Sequence, residues 1–341
     1  MEIPYSYDKD GIRIDHTTLT PRYSVTNNES LNEGISYLND HGYAVFSDVL
    51  SQDEINFNKD LLWKFLENIP DFDIRRDDPS TWSNRWPGFK TSGVVNSDGI
   101  GQSEFMWNIR SNRNVKRVYS QIWNTNELLV SFDGCGIYRD WRYNSEWQTK
   151  PAWYHVDQNP VIKPHRCCVQ GFVSLTNQNE KTGGLIVFPH THLRFQELSN
   201  LGNRRSDFLM IRSKHPIFDG GQAIGKLVQC QTGDLVLWDS RLVHCNSPAF
   251  LTDEIDRNQP IDLLRIVAYV SMSPTTFIRG YTLDEFRKQR KLLVQNNCTL
   301  SHWSTELKQA SSGEHLPKMS MKNLNAYQRA LILGTNDDDD E

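Results

Sequence analysis

The sequence predicts an all-β sandwich or barrel flanked by helices. Between residues 150 and 275, short β-branched or aromatic runs recur: WYHV, CCVQGFVSL, LIVF, LVLW and LRIVAYVSM. Turn-formers separate them at Asn159-Pro160, Thr182-Gly183-Gly184, Asp219-Gly220-Gly221 and Thr232-Gly233-Asp234. Short strands divided by turns, with no helix interleaved, are the pattern of such folds.

The elements around this core follow in order. Residues 1–42 are polar and weakly periodic, which suggests an irregular wrapping segment. Residues 43–49 (YAVFSDV) read as a buried strand. Ser51 with Glu54 three positions on is a capping box opening a helix to about residue 67. Residues 68–106, with WSNRWPGFKTSG at their centre, are too long and too aromatic for a simple linker and suggest a lid or binding loop. A helix near 113–123 leads into a strand at 128–138. After the barrel, Thr282 and Glu285 form a second capping box for a helix to about residue 294. A last helix near 321–333 stops at Gly334, a plausible cap. The expected organisation is therefore a scaffold and lid over 1–127, the barrel over 128–275, helices over 276–334 and a disordered acidic tail at 335–341.

Composition narrows the function. The 341 residues carry 37 basic and 42 acidic side chains, and the last five residues are all acidic. Without that tail the charges balance, which argues against nucleic-acid binding through bulk positive charge. No apolar run approaches the roughly 18–20 residues of a membrane span. The amino terminus lacks the basic-then-apolar layout of a signal peptide. The six cysteines show no CxxC pair, so neither a zinc ribbon nor a disulfide framework is indicated. A cytoplasmic protein acting on a small molecule is the expectation, with its oligomeric state open.

The chemistry starts at His155-Val156-Asp157. On a strand these two side chains share a face and can grip one metal ion. Ten histidines and 42 acids produce about one such spacing by chance, so the pair needs support. His244, after the turn–strand–turn block TGDLVLWDSRLVH, can approach it across a barrel. Two His and one carboxylate leave three positions of octahedral Fe(II) open for a chelating co-substrate and O2. Arg265 opens the strand LRIVAYVSM, where a guanidinium can clamp a carboxylate through two parallel hydrogen bonds. A rival set exists. Gly184-LIVFP-His190-Thr-His192-LRFQ-Glu197 matches a first cupin metal motif and would use His190, His192, Glu197 and His244. Its second motif is incomplete, with Asp239 and Arg241 in place of Pro and Gly. Without such a role, His192 would be a structural cap and His190 a surface turn residue.

The blocks HVDQNP, VQGFVSLTNQNEKTGGLIVFPHTH, TGDLVLWDSRLVH and LRIVAYVSM together resemble the phytanoyl-CoA dioxygenase family over roughly residues 35–275. The resemblance implies a double-stranded β-helix (jelly-roll, cupin-like) barrel and an Fe(II)- and 2-oxoglutarate-dependent dioxygenase, with O2 as co-substrate and ascorbate as a stimulant. His155, Asp157 and His244 would ligate iron. Arg265 would bind the distal carboxylate of 2-oxoglutarate, helped by Asn246. Phe172 and Gln170 would stand beside the co-substrate. Hydroxylation, desaturation and oxidative ring closure all remain open, as does a non-catalytic ligand-binding barrel. Three departures stand out. The family's Pro-Gly-Thr/Ser-His turn is Pro189-His190-Thr191-His192 here. The spacing from the distal His to Arg265 is lengthened by the polar segment AFLTDEIDRNQP, which makes Arg257 a competitor. No upstream basic contact to the 1-carboxylate can be placed; Lys90 and Gln102 are candidates. Trp107 and Trp153 are candidate substrate contacts. The carboxyl terminus DDDDE is not a peroxisomal tripeptide.

Overall fold

The computed structural model describes residues 5–89, 92–202, 206–252 and 261–336. Among these, two seven-stranded sheets face each other. The first runs in the order Tyr5–Tyr7, Arg13–Asp15, Ile224–Leu227, Gly184–Val187, His244–Ser247, His155–Val156, Leu209–Met210. The second runs Arg22–Ser24, Tyr43–Ser47, Leu235–Asp239, Val169–Ser174, Arg265–Tyr269, Cys135–Tyr138, Val94–Val95. This is a jelly roll, and the period-two geometry of its strands decides which side chains face inward.

Tyr43, Val45, Phe172, Val187, Trp238 and Val267 point between the sheets and form the inner core. Their neighbours Ala44, Phe46, Val173, Leu237, Ile266 and Ala268 point the other way, into a larger cluster shared with the amino-terminal helices. Both faces of the second sheet are therefore buried, which is why its strands read as continuous apolar runs. The helices are α1 (Asn28–His41), α2 (Gln52–Glu67), α3 (Glu104–Arg110), α4 (Arg113–Trp123), α5 (Leu283–Gln295) and α6 (Ala326–Leu333). Both expected capping boxes are present, Ser51 with Glu54 on α2 and Thr282 with Glu285 on α5. Gly334 closes α6 in the left-handed conformation. No helix among the described residues is long and apolar enough to cross a membrane.

Several stretches differ from the sequence expectation, the last helix starting at Ala326 rather than near residue 321. Residues 5–42 are ordered into strands and α1 rather than an irregular wrap. Their strands are three residues long, too short to leave an alternation, and α1 buries only Leu31, Gly34 and Leu38. The expected strand at 128–138 is two strands. Leu128–Val130 pairs with Met272–Pro274, whereas Cys135–Tyr138 pairs with Arg265–Tyr269 in the barrel. The break falls at Asp133-Gly134, where an added Cβ on Gly134 would meet the Val95 carbonyl at 1.8 Å. The region after the barrel also carries a hairpin, Thr299–Leu300 with Gln309–Ser311. Its two short strands have no readable period. The acidic residues 337–341 lie outside the described residues.

Candidate active site

His155, Asp157 and His244 form, among the described residues, the one group of at least three potential ligands whose atoms lie within 4.8 Å of one another. Strand register brings them together. His244 is the direct partner of His155 across an antiparallel pair, and Val156 between His155 and Asp157 turns into the outer core. Each imidazole is aimed by its own main chain: His155 Nδ1 bonds the Trp153 carbonyl and His244 Nδ1 the Leu242 carbonyl, both at 2.9 Å. That leaves the two Nε2 atoms facing Asp157 Oδ2, at 3.7 and 3.2 Å. Gln170 donates to the same oxygen at 2.9 Å, and Trp153 stacks on His155 with centroids 4.6 Å apart.

The electrostatics match the geometry. Burial, reinforced by His244, pushes the His155 pKa down to about 4. Burial alone would raise Asp157, but the two histidines beside it hold its carboxyl well below the usual range. A neutral imidazole at His155 and an ionised carboxylate at Asp157 are the forms that bind a metal. The donor set fits iron with three positions left free.

Arg265 faces the same cavity, which holds about 320 Å3. Its guanidinium lies 3.8 Å over the Tyr138 ring. Nη1 donates to Asn246 Oδ1 at 2.7 Å, and Nη2 is 3.3 Å from the Ser247 carbonyl. Arg265 Nε and Asn246 Nδ2, both buried, have no partner among the described residues. Unpaired buried donors call for an acceptor, and a carboxylate answers both. Phe172 lines this cavity together with Leu185 and Val267.

Other sequence candidates lie elsewhere. Gln102 and Trp107 are buried against each other: Trp107 Nε1 donates to Gln102 Oε1 at 3.1 Å, and Gln102 Nε2 to the Cys298 carbonyl at 2.9 Å. They serve the core between α3 and the carboxyl-terminal segment and do not line the cavity. Lys90 and Arg257 lie outside the described residues. The cupin set does not assemble. His192 Nε2 bonds the Asn39 carbonyl at 2.9 Å, His190 Nδ1 is 2.8 Å from the Asp40 carbonyl, and Glu197 pairs with Arg194. His190 adopts φ 67°, so it fills the left-handed position that glycine takes in the family's turn.

Sequence reasoning missed much of the wall, including Tyr138, Phe208, Tyr269, Trp238, Asp133 and His302. Tyr269 and Trp238 share inward faces with Arg265 and Gln170, and strand alternation could have found them. Asp133 and His302 had no such signal, since one sits at a strand break and the other beside an unforeseen hairpin. Burial pushes Asp133 up to about 6 and His302 down to about 4.

Comparison with known proteins agrees with this geometry. The phytanoyl-CoA dioxygenase (PhyH) family model matches residues 38–257. Ava biosynthesis cluster protein O of Aspergillus versicolor is 26% identical over 278 residues, covering 78% of this chain and 85% of its own. The solved epimerase SnoN, in complex with Fe3+, alpha ketoglutarate and nogalamycin RO, superposes with a TM-score of 0.51 at 14% identity, over 73% of this chain and 86% of that one. A hypothetical protein from Escherichia coli gives a TM-score of 0.59 at 12% identity, over 92% and 86%. The two structures show a shared fold, and the family match extends over most of the barrel and the helices before it. The chain belongs to the phytanoyl-CoA dioxygenase family of Fe(II)- and 2-oxoglutarate-dependent oxygenases.

Proposed function

We propose that this chain oxidises a C–H bond of a small natural-product molecule held in the 320 Å3 cavity, with His155, Asp157 and His244 as the iron ligands. When bound, iron and 2-oxoglutarate supply the oxidising chemistry, in which O2 and 2-oxoglutarate become succinate and CO2 as the substrate is oxidised. The chain's residues set the geometry. Gln170 fixes the Asp157 carboxylate through its 2.9 Å hydrogen bond. Arg265 and Asn246 receive the distal carboxylate of 2-oxoglutarate with their unpaired donors. Tyr138, which lies under the Arg265 guanidinium, and Phe172 line the cavity and would keep water from a carboxylate held there, strengthening its charge-assisted bonds.

The observation that carries the reading is that one cavity joins the His–Asp–His cluster to a buried guanidinium with no carboxylate partner among the described residues. The relative from an Aspergillus biosynthesis cluster supports a role in natural-product formation. Hydroxylation is the default outcome, and desaturation or ring closure needs only a different fate for the substrate radical. The test is slow uncoupled succinate formation by purified protein with Fe(II), ascorbate and 2-oxoglutarate. A protein that binds both yet makes no succinate across a broad substrate screen is a binding barrel instead.

A further inference from the structure

The cavity carries further polar side chains besides the His–Asp–His cluster and Arg265, Asp133 and His302 among them. Asp133, at the break between two strands, lines it. Its Oδ1 accepts from the Gly134 N–H at 2.7 Å, and no side chain among the described residues donates to the other oxygen. Arg110, buried beneath, directs its Nη donors to the main-chain carbonyls of Gly101 and Asp133 rather than to the carboxylate. His302 lines the same cavity, and its buried Nε2 has no partner among the described residues.

The two residues are held on adjoining backbone. The Leu300 N–H donates to the Phe132 carbonyl at 2.8 Å, so the segment carrying His302 runs beside the one carrying Asp133. Lys163 fixes that segment, standing 3.5 Å over the Trp303 ring while its Nζ bridges Asp207 and Glu306 at 2.7 and 2.5 Å. Six aromatic rings also line the cavity, Tyr138, Trp153, Phe172, Phe208, Trp238 and Tyr269, and both Trp153 and Phe208 pack on His155.

A carboxylate oxygen and an imidazole nitrogen without partners in such a wall are unfavourable until a ligand supplies hydrogen-bond donors. An ammonium group supplies several, and aromatic faces favour a cation as well. We propose that Asp133 and His302 form a subsite for a protonated amine on the substrate, which rests on the cavity being the substrate chamber described above.

The test uses matched pairs differing only in the amine, tryptamine against tryptophol and phenethylamine against 2-phenylethanol. Their binding to protein loaded anaerobically with Fe(II) and 2-oxoglutarate is measured by calorimetry. In at least one pair the amine should bind tenfold or more tightly than the alcohol, and Asp133→Asn should erase that difference. Equal affinity within both pairs, no binding by any probe, or a preference that survives Asp133→Asn overturns the proposal. Equal affinity within the wild-type pairs overturns the proposal even if the variant does not fold. A prior 2-oxoglutarate titration separates the two readings: no binding there defeats the dioxygenase assignment, whereas normal binding without amine preference defeats only this subsite.

Discussion

His155 and His244 stand opposite each other across a strand pair, their ring centroids 4.2 Å apart and their planes tilted by 52°. Each ring is turned by a hydrogen bond to the carbonyl two residues before it. The same local bond, used twice on paired strands, points both Nε2 atoms at the Asp157 carboxylate. This preorganisation allows the cluster to bind metal with little rearrangement.

Gln170 is the residue that orients Asp157. Gln170→Leu should weaken Fe(II) binding by about 10- to 100-fold, the usual effect of losing a bond that orients a metal ligand. Anaerobic titration with Fe(II), or with Co(II) as a spectroscopic stand-in, measures it. Unchanged affinity would assign Gln170 to packing alone.

Arg265→Ala should weaken 2-oxoglutarate by roughly 2–4 kcal/mol, about 30- to 1,000-fold, because two charge-assisted bonds are lost. Asn246→Ala should cost less, about 1 kcal/mol, while Arg257→Ala should do little, because Arg265 already supplies the cavity with a guanidinium for that carboxylate. Anaerobic binding of 2-oxoglutarate to the three variants tests the order. A large loss in Arg257→Ala with a small one in Arg265→Ala would reverse the assignment.

Asp133 gives a pH-dependent signature. Its folded pKa is raised to about 6, so ionisation disfavours the folded state. Its stabilising contribution is complete below about pH 4 and is lost as pH rises through 6. Asp133→Asn should therefore raise thermal stability at pH 8, by at most about 3 kcal/mol, and change little at pH 4. Melting curves at the two pH values check it; equal effects at both would show that burial of the charge is not the cause.

Arg290 ties the carboxyl-terminal segment to the strand Leu128–Val130. Its buried guanidinium donates to the carbonyls of Ile332, Ser304 and Val130 at 2.7, 3.0 and 2.6 Å. Arg290→Met keeps an aliphatic stem but strands three acceptors, so stability should fall by about 3 kcal/mol or more. Denaturant unfolding measures the loss. A change under about 0.5 kcal/mol would mean that water replaces the guanidinium.

Much of this site was legible in the sequence, for physical reasons. Strand alternation places His155 and Asp157 on one face, and the turn–strand block before His244 carries it toward them. Arg265 stands out at the opening of a strand, whereas Gln170 and Phe172 come from the family resemblance. What stayed hidden depends on contacts that leave no period. Gln102 and Trp107 look like site residues by type, yet they satisfy each other within the core. His302 reaches the cavity only because a hairpin of very short strands folds back beside Phe132. His190 resembles a metal ligand by spacing, while its backbone occupies a glycine-type turn.

The most direct test of the central assignment is an anaerobic titration of Fe(II) and 2-oxoglutarate into wild type, His155→Ala and His190→Ala, followed by the weak visible charge-transfer band of the chelate. The band should form in wild type and in His190→Ala and be absent in His155→Ala. A band that persists in His155→Ala, or is lost only in His190→Ala, would contradict the His155–Asp157–His244 site.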